Sequence, residues 1–302
     1  MLQECLNGLA IRPDGVYVDV TFGGGGHSRA ILERLGAGGR LFGFDQDADA
    51  ERHWREDGGA DADGRFTFVR SNFRYLENWM RYYGVARVDG LLADLGVSSH
   101  HLDEAERGFA FRYDAPLDMR MNTRGGRSAA DLVAESSEEE LARTLQLYGE
   151  VRQARRMAQA IVRTRAQRPI ATTGDLLAAV RPFVNPKQEK KELAQVFQAL
   201  RIEVNHEMQA LEEMLAAAGR ILAPGGRLVV MTYHSLEDRI VKNFIRSGHA
   251  DGRVEKDFFG RVVAPLRPVG NKVAVATDEE VARNPRARSA KLRVAERPVD
   301  EP

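Results

Sequence analysis

Val16-Tyr-Val-Asp-Val-Thr-Phe-Gly-Gly-Gly-Gly-His-Ser28 carries more of the fold than any other stretch of this 302-residue chain. A short apolar run enters four consecutive glycines, and a helical pattern begins at Ser28, a residue suited to an N-cap. Glycines let a backbone turn sharply and let a ligand come closer to its N–H groups than any Cβ would permit. The stretch therefore predicts a buried strand, a ligand-contacting turn and a helix.

The same alternation continues downstream. Arg40–Asp45, Phe66–Arg70 and Gly90–Asp94 are short apolar runs that end in polar residues, and Ala48–Arg55 and Leu76–Tyr83 are helical candidates between them. With Val16–Val20 and Ser28–Leu35, this predicts an α/β fold: a doubly wound, Rossmann-like parallel sheet with ligands at the carboxyl ends of its strands. After Ser99 the pattern becomes helical only, at Asp131–Gln146, Glu150–Arg165, Thr173–Arg181 and Lys191–Ala218. Strand character returns at Arg227–Tyr233, behind the Pro224-Gly225-Gly226 turn, and Arg261–Ala264 and Ala290–Ala295 read as a closing strand pair. The expected division is a sheet domain in two parts, 1–106 and 208–302, interrupted by a helical domain, 107–207.

Asp45 lies about twenty residues beyond the glycine turn, where a carboxylate can accept both hydroxyl protons of a ribose. Two cofactors use this layout. A nicotinamide dinucleotide calls for G-x-G-x-x-G with a helix N-terminus on its pyrophosphate, and Ser28 stands where the third glycine would be. S-adenosylmethionine has no phosphate and needs only the glycine turn, the ribose acid and a further acid or amide near the adenine, so methyl transfer is the better fit. The plain alternative is a flexible turn with a solvated Asp45.

Two more clusters fall at expected strand ends. Asp94 precedes Leu95-Gly96-Val97 rather than the Pro-Pro-aromatic run often found in enzymes acting on exocyclic amines. A turn-capping aspartate is its bland reading. Met231-Thr-Tyr-His-Ser-Leu-Glu-Asp238 passes from strand to helix and brings Tyr233 and His234 to a rim where ligands bind. Asp94, Tyr233 and His234 are the expected catalytic residues. Cys5 is the only cysteine. It excludes an intramolecular disulfide and a cysteine cluster, favours a reducing cytoplasm and, preceding the first strand and far from any strand's carboxyl end, is an unpromising nucleophile for methylation at a ring carbon. The histidines are too scattered for a metal motif, so no metal is expected.

Lysine plus arginine equal aspartate plus glutamate at 44 each, so contact with a nucleic acid must come from local charge. From Arg143 to Arg168 seven arginines face one acid, Glu150, and Arg283–Arg297 forms a second basic stretch. On the expected helix Glu150–Arg165 an apolar stripe of Val151, Ala154, Ala158, Ile161 and Val162 leaves Arg152, Arg156 and Arg163 on the remaining surface as candidate RNA contacts. Solvated basic faces are the ordinary alternative. No run approaches the length of a membrane span, and no secretory segment stands at the N-terminus.

The glycine stretch, Asp94-Leu-Gly-Val-Ser-Ser99, Asp103-Glu-Ala-Glu-Arg-Gly-Phe109, Pro116-Leu-Asp-Met-Arg-Met121, Phe197-Gln-Ala-Leu-Arg-Ile202, His234-Ser-Leu-Glu-Asp-Arg239 and Asn284-Pro-Arg-Ala-Arg-Ser289 together resemble the bacterial small-subunit rRNA cytosine-N4 methyltransferase family (RsmH, also called MraW). The matches run in order along nearly the whole chain. The resemblance implies a cytoplasmic S-adenosylmethionine-dependent enzyme acting on N4 of a cytosine in the decoding region of 16S rRNA, and it admits a homodimer. Carried over by position, the methyl-donor contacts are Gly25, Gly26, His27, Asp45, Phe73, Asp94 and His101. The family usually carries Gln where His101 stands, and His-Pro-Ala-Thr-Arg where Lys191–Gln195 stands. It also has a His-bearing segment before Leu2–Leu6, which points to a truncated or differently assigned start. The rival expectations are a methyltransferase for a protein or small molecule, which needs no arginine-rich insertion, and a non-catalytic RNA-binding protein, which needs no glycine turn.

Overall fold

The computed structural model describes residues 1–56, 64–98, 102–270 and 272–299. They pack as two compact units, one formed by Met1–Gly96 with Met208–Pro302 and the other by Val97–Glu207.

The first unit is built on one mixed sheet. Strands β1 (Val16–Asp19), β2 (Arg40–Asp45), β3 (Phe66–Arg70), β4 (Val88–Asp94) and β5 (Leu222–Thr232) are parallel, and β8 (Lys291–Glu296) pairs antiparallel with β5. The order is β3-β2-β1-β4-β5-β8-β6, with β6 (Arg267–Pro268) and β7 (Ala274–Val275) both pairing with β8. Side chains alternate across a strand, and the core divides accordingly. Val18, Leu91, Leu228 and Val230 enter one apolar cluster, while Tyr17, Leu92, Val229 and Met231 enter the other. Helices α4 (Leu76–Tyr82), α10 (Glu207–Ile221) and α11 (Ser235–Ser247) contribute Met80, Leu211 and Phe244 to the first cluster. Helices α1 (Leu2–Leu9), α2 (Gly26–Leu32) and α3 (Ala48–Glu56) contribute Leu6, Ile31 and Trp54 to the second. Both faces are thus covered, which is why these strands read as continuous apolar runs.

The second unit contains helices α5 (Ala129–Glu135), α6 (Glu138–Gly149), α7 (Ala154–Gln167), α8 (Thr173–Val180) and α9 (Glu189–Asn205) around Leu132, Leu145, Met157, Ile161, Leu176 and Phe197. Val97 and Leu102 lie against this cluster. Capping boxes start α5, α6 and α8, at Ser128–Asp131, Ser137–Glu140 and Thr172–Asp175.

Five element readings are corrected. The run Asp131–Gln146 is two helices, because the Ser137 box restarts the chain after Ser136. The run Lys191–Ala218 is also two, broken where His206 takes φ 51° and caps α9 with its N–H. Glu150 ends α6 in the left-handed conformation, so α7 begins at Ala154 and Arg152 lies in the preceding turn. Ser28 is not an N-cap: α2 starts at Gly26, with Gly25 as its cap. Arg261–Ala264 forms no strand of the sheet, and Val262 makes only an isolated bridge to Lys256. Pro265 ends that run one residue on, and the closing edge is made by β6, β7 and β8 instead. Helix α1 was missed, being short and without a side-chain cap. Among the described residues, no helix is long and apolar enough to cross a membrane.

Candidate active site

The sheet order reverses at β1, which lies between β2 and β4, and such switch points open a crevice at the carboxyl ends of the strands. The glycine turn leaves β1 there. Gly25 has φ +74°, and a Cβ on it would meet the Phe22 ring at 2.7 Å, so only glycine fits. A Cβ on Gly24 or Gly26 would meet nothing within 4 Å. The turn therefore presents bare backbone to open space, as a ligand-contacting turn must.

Polar side chains fix this turn from beneath. Asp19 is fully buried; it accepts from Ser28 Oγ at 2.7 Å and from the Thr21 amide at 3.1 Å. Burial pushes its carboxyl above the usual range, against the pull of His27 and these hydrogen bonds. Thr21 Oγ1 in turn accepts the Asp94 amide at 2.6 Å, joining the ends of β1 and β4. The sequence reading missed Asp19, Thr21 and Ser28. Polar residues within and just after a strand otherwise buried on both faces were the available signal.

Asp94, at the end of β4, accepts the phenolic proton of Tyr233 on Oδ1 at 2.8 Å, and its Oδ2 lies 3.7 Å from His27 Nδ1. Burial raises the Asp94 carboxyl, with His27 and the Tyr233 hydrogen bond pulling the other way. The Tyr233 phenol is pushed far up by burial and by the Asp94 charge, so it stays a donor at every ordinary pH. His27 Nε2 is buried without a hydrogen-bond partner among the described residues. A cavity of about 200 Å³ is lined by Gly26, His27, Asp94, Met231, Tyr233 and, from the chain ends, Met1, Leu2, Asn284, Ala287 and Ala290.

Asp45 closes the other side of the turn. Its Oδ2 accepts the Gly23 amide at 2.8 Å and its Oδ1 the Asp47 amide at 2.9 Å. The next positions are also tied together, Asn72 Nδ2 donating to Gln46 Oε1 at 3.0 Å, and Phe73 follows in a half-buried 3-10 turn. The Gly25 amide is spent on the Phe22 carbonyl at 2.8 Å. With two glycine amides engaged internally, the turn has fewer N–H groups to offer a pyrophosphate, and the carboxyls of Asp45 and Asp94 stand beside it.

His234 stands at the start of α11. It is the N-cap of α11, its Nδ1 accepting the Glu237 amide at 3.4 Å while Glu237 Oε2 accepts the Tyr233 amide at 2.9 Å. Its Nε2 lies 3.1 Å from Glu237 Oε1 but off the hydrogen-bond direction. His234 is not among the cavity-lining residues, so its visible work is to aim the strand-to-helix turn that carries Tyr233. His101 lies outside the described residues.

Cys5 requires a correction. Sequence separation put it far from any strand's carboxyl end, but α1 folds back over β4 and β5, close enough for Asp94 to act on the thiol. Burial, reinforced by Asp94, pushes that thiol up to about 12. A fully buried, protonated thiol is a poor nucleophile, so carbon methylation through Cys5 is disfavoured by its protonation state rather than by distance.

In the helical unit Arg152, Arg156 and Arg163 are all exposed. Arg165, counted in the basic stretch, is taken up internally: it donates to the Val133 and Ser136 carbonyls at the end of α5.

The family model described as the MraW methylase family matches residues 1–298. The chain belongs to the MraW methylase family. It is 63% identical over 298 residues to the ribosomal RNA small subunit methyltransferase H of Parabacteroides distasonis, spanning 98% of this chain and 96% of that one. It is 57% identical over 302 residues to the protein of that name from Porphyromonas gingivalis, at 98% and 95% coverage. Among solved structures it is similar to an rRNA methylase from Streptococcus thermophilus, with a TM-score of 0.44 and 11% identity, covering 98% of this chain and 93% of that one. The doubly wound α/β sheet expected from the sequence is present, and the family is one of methylases.

Proposed function

We propose that the protein is an S-adenosylmethionine-dependent methyltransferase that modifies the exocyclic N4 of a cytosine in the decoding region of 16S rRNA, in the small ribosomal subunit. The carrying observation is the Tyr233–Asp94 hydrogen bond at the wall of a cavity beside the glycine turn. Family membership and the printed names of the relatives support the RNA class of the substrate.

The donor supplies a methyl group on a positively charged sulfur, already activated for displacement. Gly25 and Gly26 would give it bare backbone, Asp45 would take its ribose hydroxyls, and Phe73 would wall the adenine side. His27 and Asp94 would stand at the reacting end, with His101 as a further contact. The acidic surroundings fit a cation and disfavour a dinucleotide.

Cytosine N4 is a weak nucleophile because its lone pair is delocalised into the ring. Alignment therefore supplies most of the rate, up to about 7–11 kcal/mol in well-oriented systems. Tyr233 occupies Asp94 Oδ1, leaving Oδ2 to accept one N4 hydrogen and turn the lone pair toward the methyl. As N4 took the methyl group, the donor would leave as a neutral thioether, and the N4 proton would pass by way of Asp94 Oδ2 to water. His234, through its cap on α11, holds the backbone that carries Tyr233. The cytosine must be unpaired or flipped to reach the cavity, and Arg152, Arg156 and Arg163 would take phosphates.

The test is nucleoside mass spectrometry of small-subunit rRNA from cells with and without the gene. N4-methylcytidine should disappear with the gene and return with the intact copy. An unchanged nucleoside profile would send the search to protein or small-molecule acceptors.

A further inference from the structure

Two aromatic rings stand in solvent at one place in the first unit. Phe258 is 97% exposed and its neighbour Phe259 80% exposed, where such residues ordinarily bury most of their surface. They occupy the tip of a small hairpin. Lys256 and Val262 form an antiparallel bridge. The Asp257 amide donates to the Arg261 carbonyl at 2.9 Å and the Val263 amide to the Glu255 carbonyl at 2.9 Å. Asp257 Oδ1 then accepts the amides of both Phe259 and Arg261, at 2.8 and 2.9 Å. The tip is thus held by its own carboxylate, and just beyond it Leu266 is buried in the sheet core. Two rings are presented edge to face, 5.5 Å apart, on a rigid support.

Charge at the tip has one sign to spare. Glu255 is taken by His249 at 3.2 Å and Arg253 at 3.4 Å, and Asp257 is engaged with backbone amides. Among the described residues Lys256 and Arg261 have no acid within ion-pair distance, and the Arg261 guanidinium lies over the Phe259 ring at 6.0 Å. Flat apolar faces beside uncompensated cations match a nucleotide, whose base stacks and whose phosphate pairs.

We infer that the hairpin Glu255–Val263 is a stacking platform for unpaired nucleotides of the RNA substrate, with Phe258 and Phe259 taking bases and Lys256 and Arg261 taking phosphates. This rests on the RNA reading proposed above. None of these residues belongs to the methyl-transfer crevice, so the platform would contribute to RNA capture and not to donor binding.

The test is fluorescence anisotropy of the full chain with labelled decauridylate and with an abasic ribose-phosphate oligomer of the same length. Phe258→Ala with Phe259→Ala should weaken decauridylate binding on the order of tenfold or more. The Leu pair should be equally impaired, and the Tyr pair should keep wild-type affinity. The abasic oligomer should bind wild type and the Ala pair alike. Unchanged decauridylate affinity in the Ala pair, while wild type binds, would remove the platform and leave the RNA reading standing. A Leu pair with wild-type affinity would also overturn it, in favour of an apolar protein contact. Wild type that binds neither oligomer nor isolated small-subunit rRNA would overturn the RNA reading itself. Equal donor affinity by calorimetry shows that each variant is folded.

Discussion

The Tyr233 hydroxyl donates to Asp94 Oδ1 across 2.8 Å, joining the carboxyl ends of β5 and β4. A phenol that keeps its proton donates to the charged carboxylate, stabilising it and holding its orientation. Tyr233→Phe removes that donor and little else. A hydrogen bond to a charged group contributes about 1.5–3 kcal/mol, so methyl transfer at saturating substrates should fall roughly ten- to a hundredfold. The acid limb of the rate profile should move to higher pH as well, because the lost bond was holding the Asp94 carboxyl down. Single-turnover rates across pH measure both. A slower enzyme with an unmoved limb would mean that Tyr233 merely fills space.

Asp94 itself makes stability depend on pH. Its folded-state carboxyl is raised, chiefly by burial, so the folded chain holds this proton more tightly than the unfolded chain does. The associated stabilisation is fully present below the unfolded value, about 3.9, and is lost as pH rises through the folded value. Asp94→Asn removes the titration. The variant should gain stability relative to wild type as pH rises through that window and then keep a constant advantage, while losing methyl transfer. Denaturant melts of both proteins from acid to neutral pH decide it. A parallel pair of curves would show that Asp94 is not the strained acid.

For the donor, Asp45→Ala should weaken S-adenosylmethionine binding by about 2–4 kcal/mol, since two ribose hydroxyls lose a charged acceptor. Asp45 also fixes the Gly23 and Asp47 amides, so part of that loss would come from a looser turn. Asp45→Asn keeps one oxygen for those amides and should fall between wild type and Ala. Calorimetry with equal affinities in all three would mean that the glycine turn holds something other than a nucleoside.

Why some of this was legible in the sequence and some was not follows from how far each interaction reaches. The four parallel strands ahead of the insertion were readable as short apolar runs that end in polar residues, and the glycine turn as four consecutive glycines, of which Gly25 proves to be the one whose φ and Phe22 contact exclude a side chain. Asp94 and Tyr233 were readable as residues at strand ends and His27 only through the family resemblance, but not the bond between Asp94 and Tyr233, which spans 139 positions. Cys5 failed for the same reason: sequence separation hid a helix folded over the sheet. The break at His206 had no local signal, since the apolar pattern of α9 and α10 runs straight across it. The break at Ser137 did have one, Ser-Glu-Glu-Glu, the pattern of a capping box.

RNA recognition by the helical unit gives the last prediction. Helix α7 buries Ala154, Met157, Ala158 and Ile161, and that apolar face fixes which residues look outward. Arg156 and Arg163 do, as does Arg152 from the turn before the helix. Arg152 precedes the helix, so it does not stand one helical turn from Arg156. Arg156 has Gln153 at 3.3 Å, and none of the three has an acid within ion-pair distance among the described residues. By contrast Arg165 caps α5 and Arg168 pairs with Asp175 at 3.6 Å. The chain thus spends some arginines on its own structure and leaves these three to solvent. Changing Arg152, Arg156 and Arg163 together to Gln should weaken RNA binding and leave donor affinity and thermal stability intact. If each meets one phosphate of single-stranded RNA, the slope of log affinity against log salt should become shallower by about 0.7 per arginine, roughly two units in all. Arg165→Gln should do the opposite, lowering stability without changing the salt slope, since its partners are the carbonyls of Val133 and Ser136. Titrations of both variants at three or more salt concentrations separate the two roles. A triple variant with wild-type affinity and slope would leave these arginines as an ordinary solvated face.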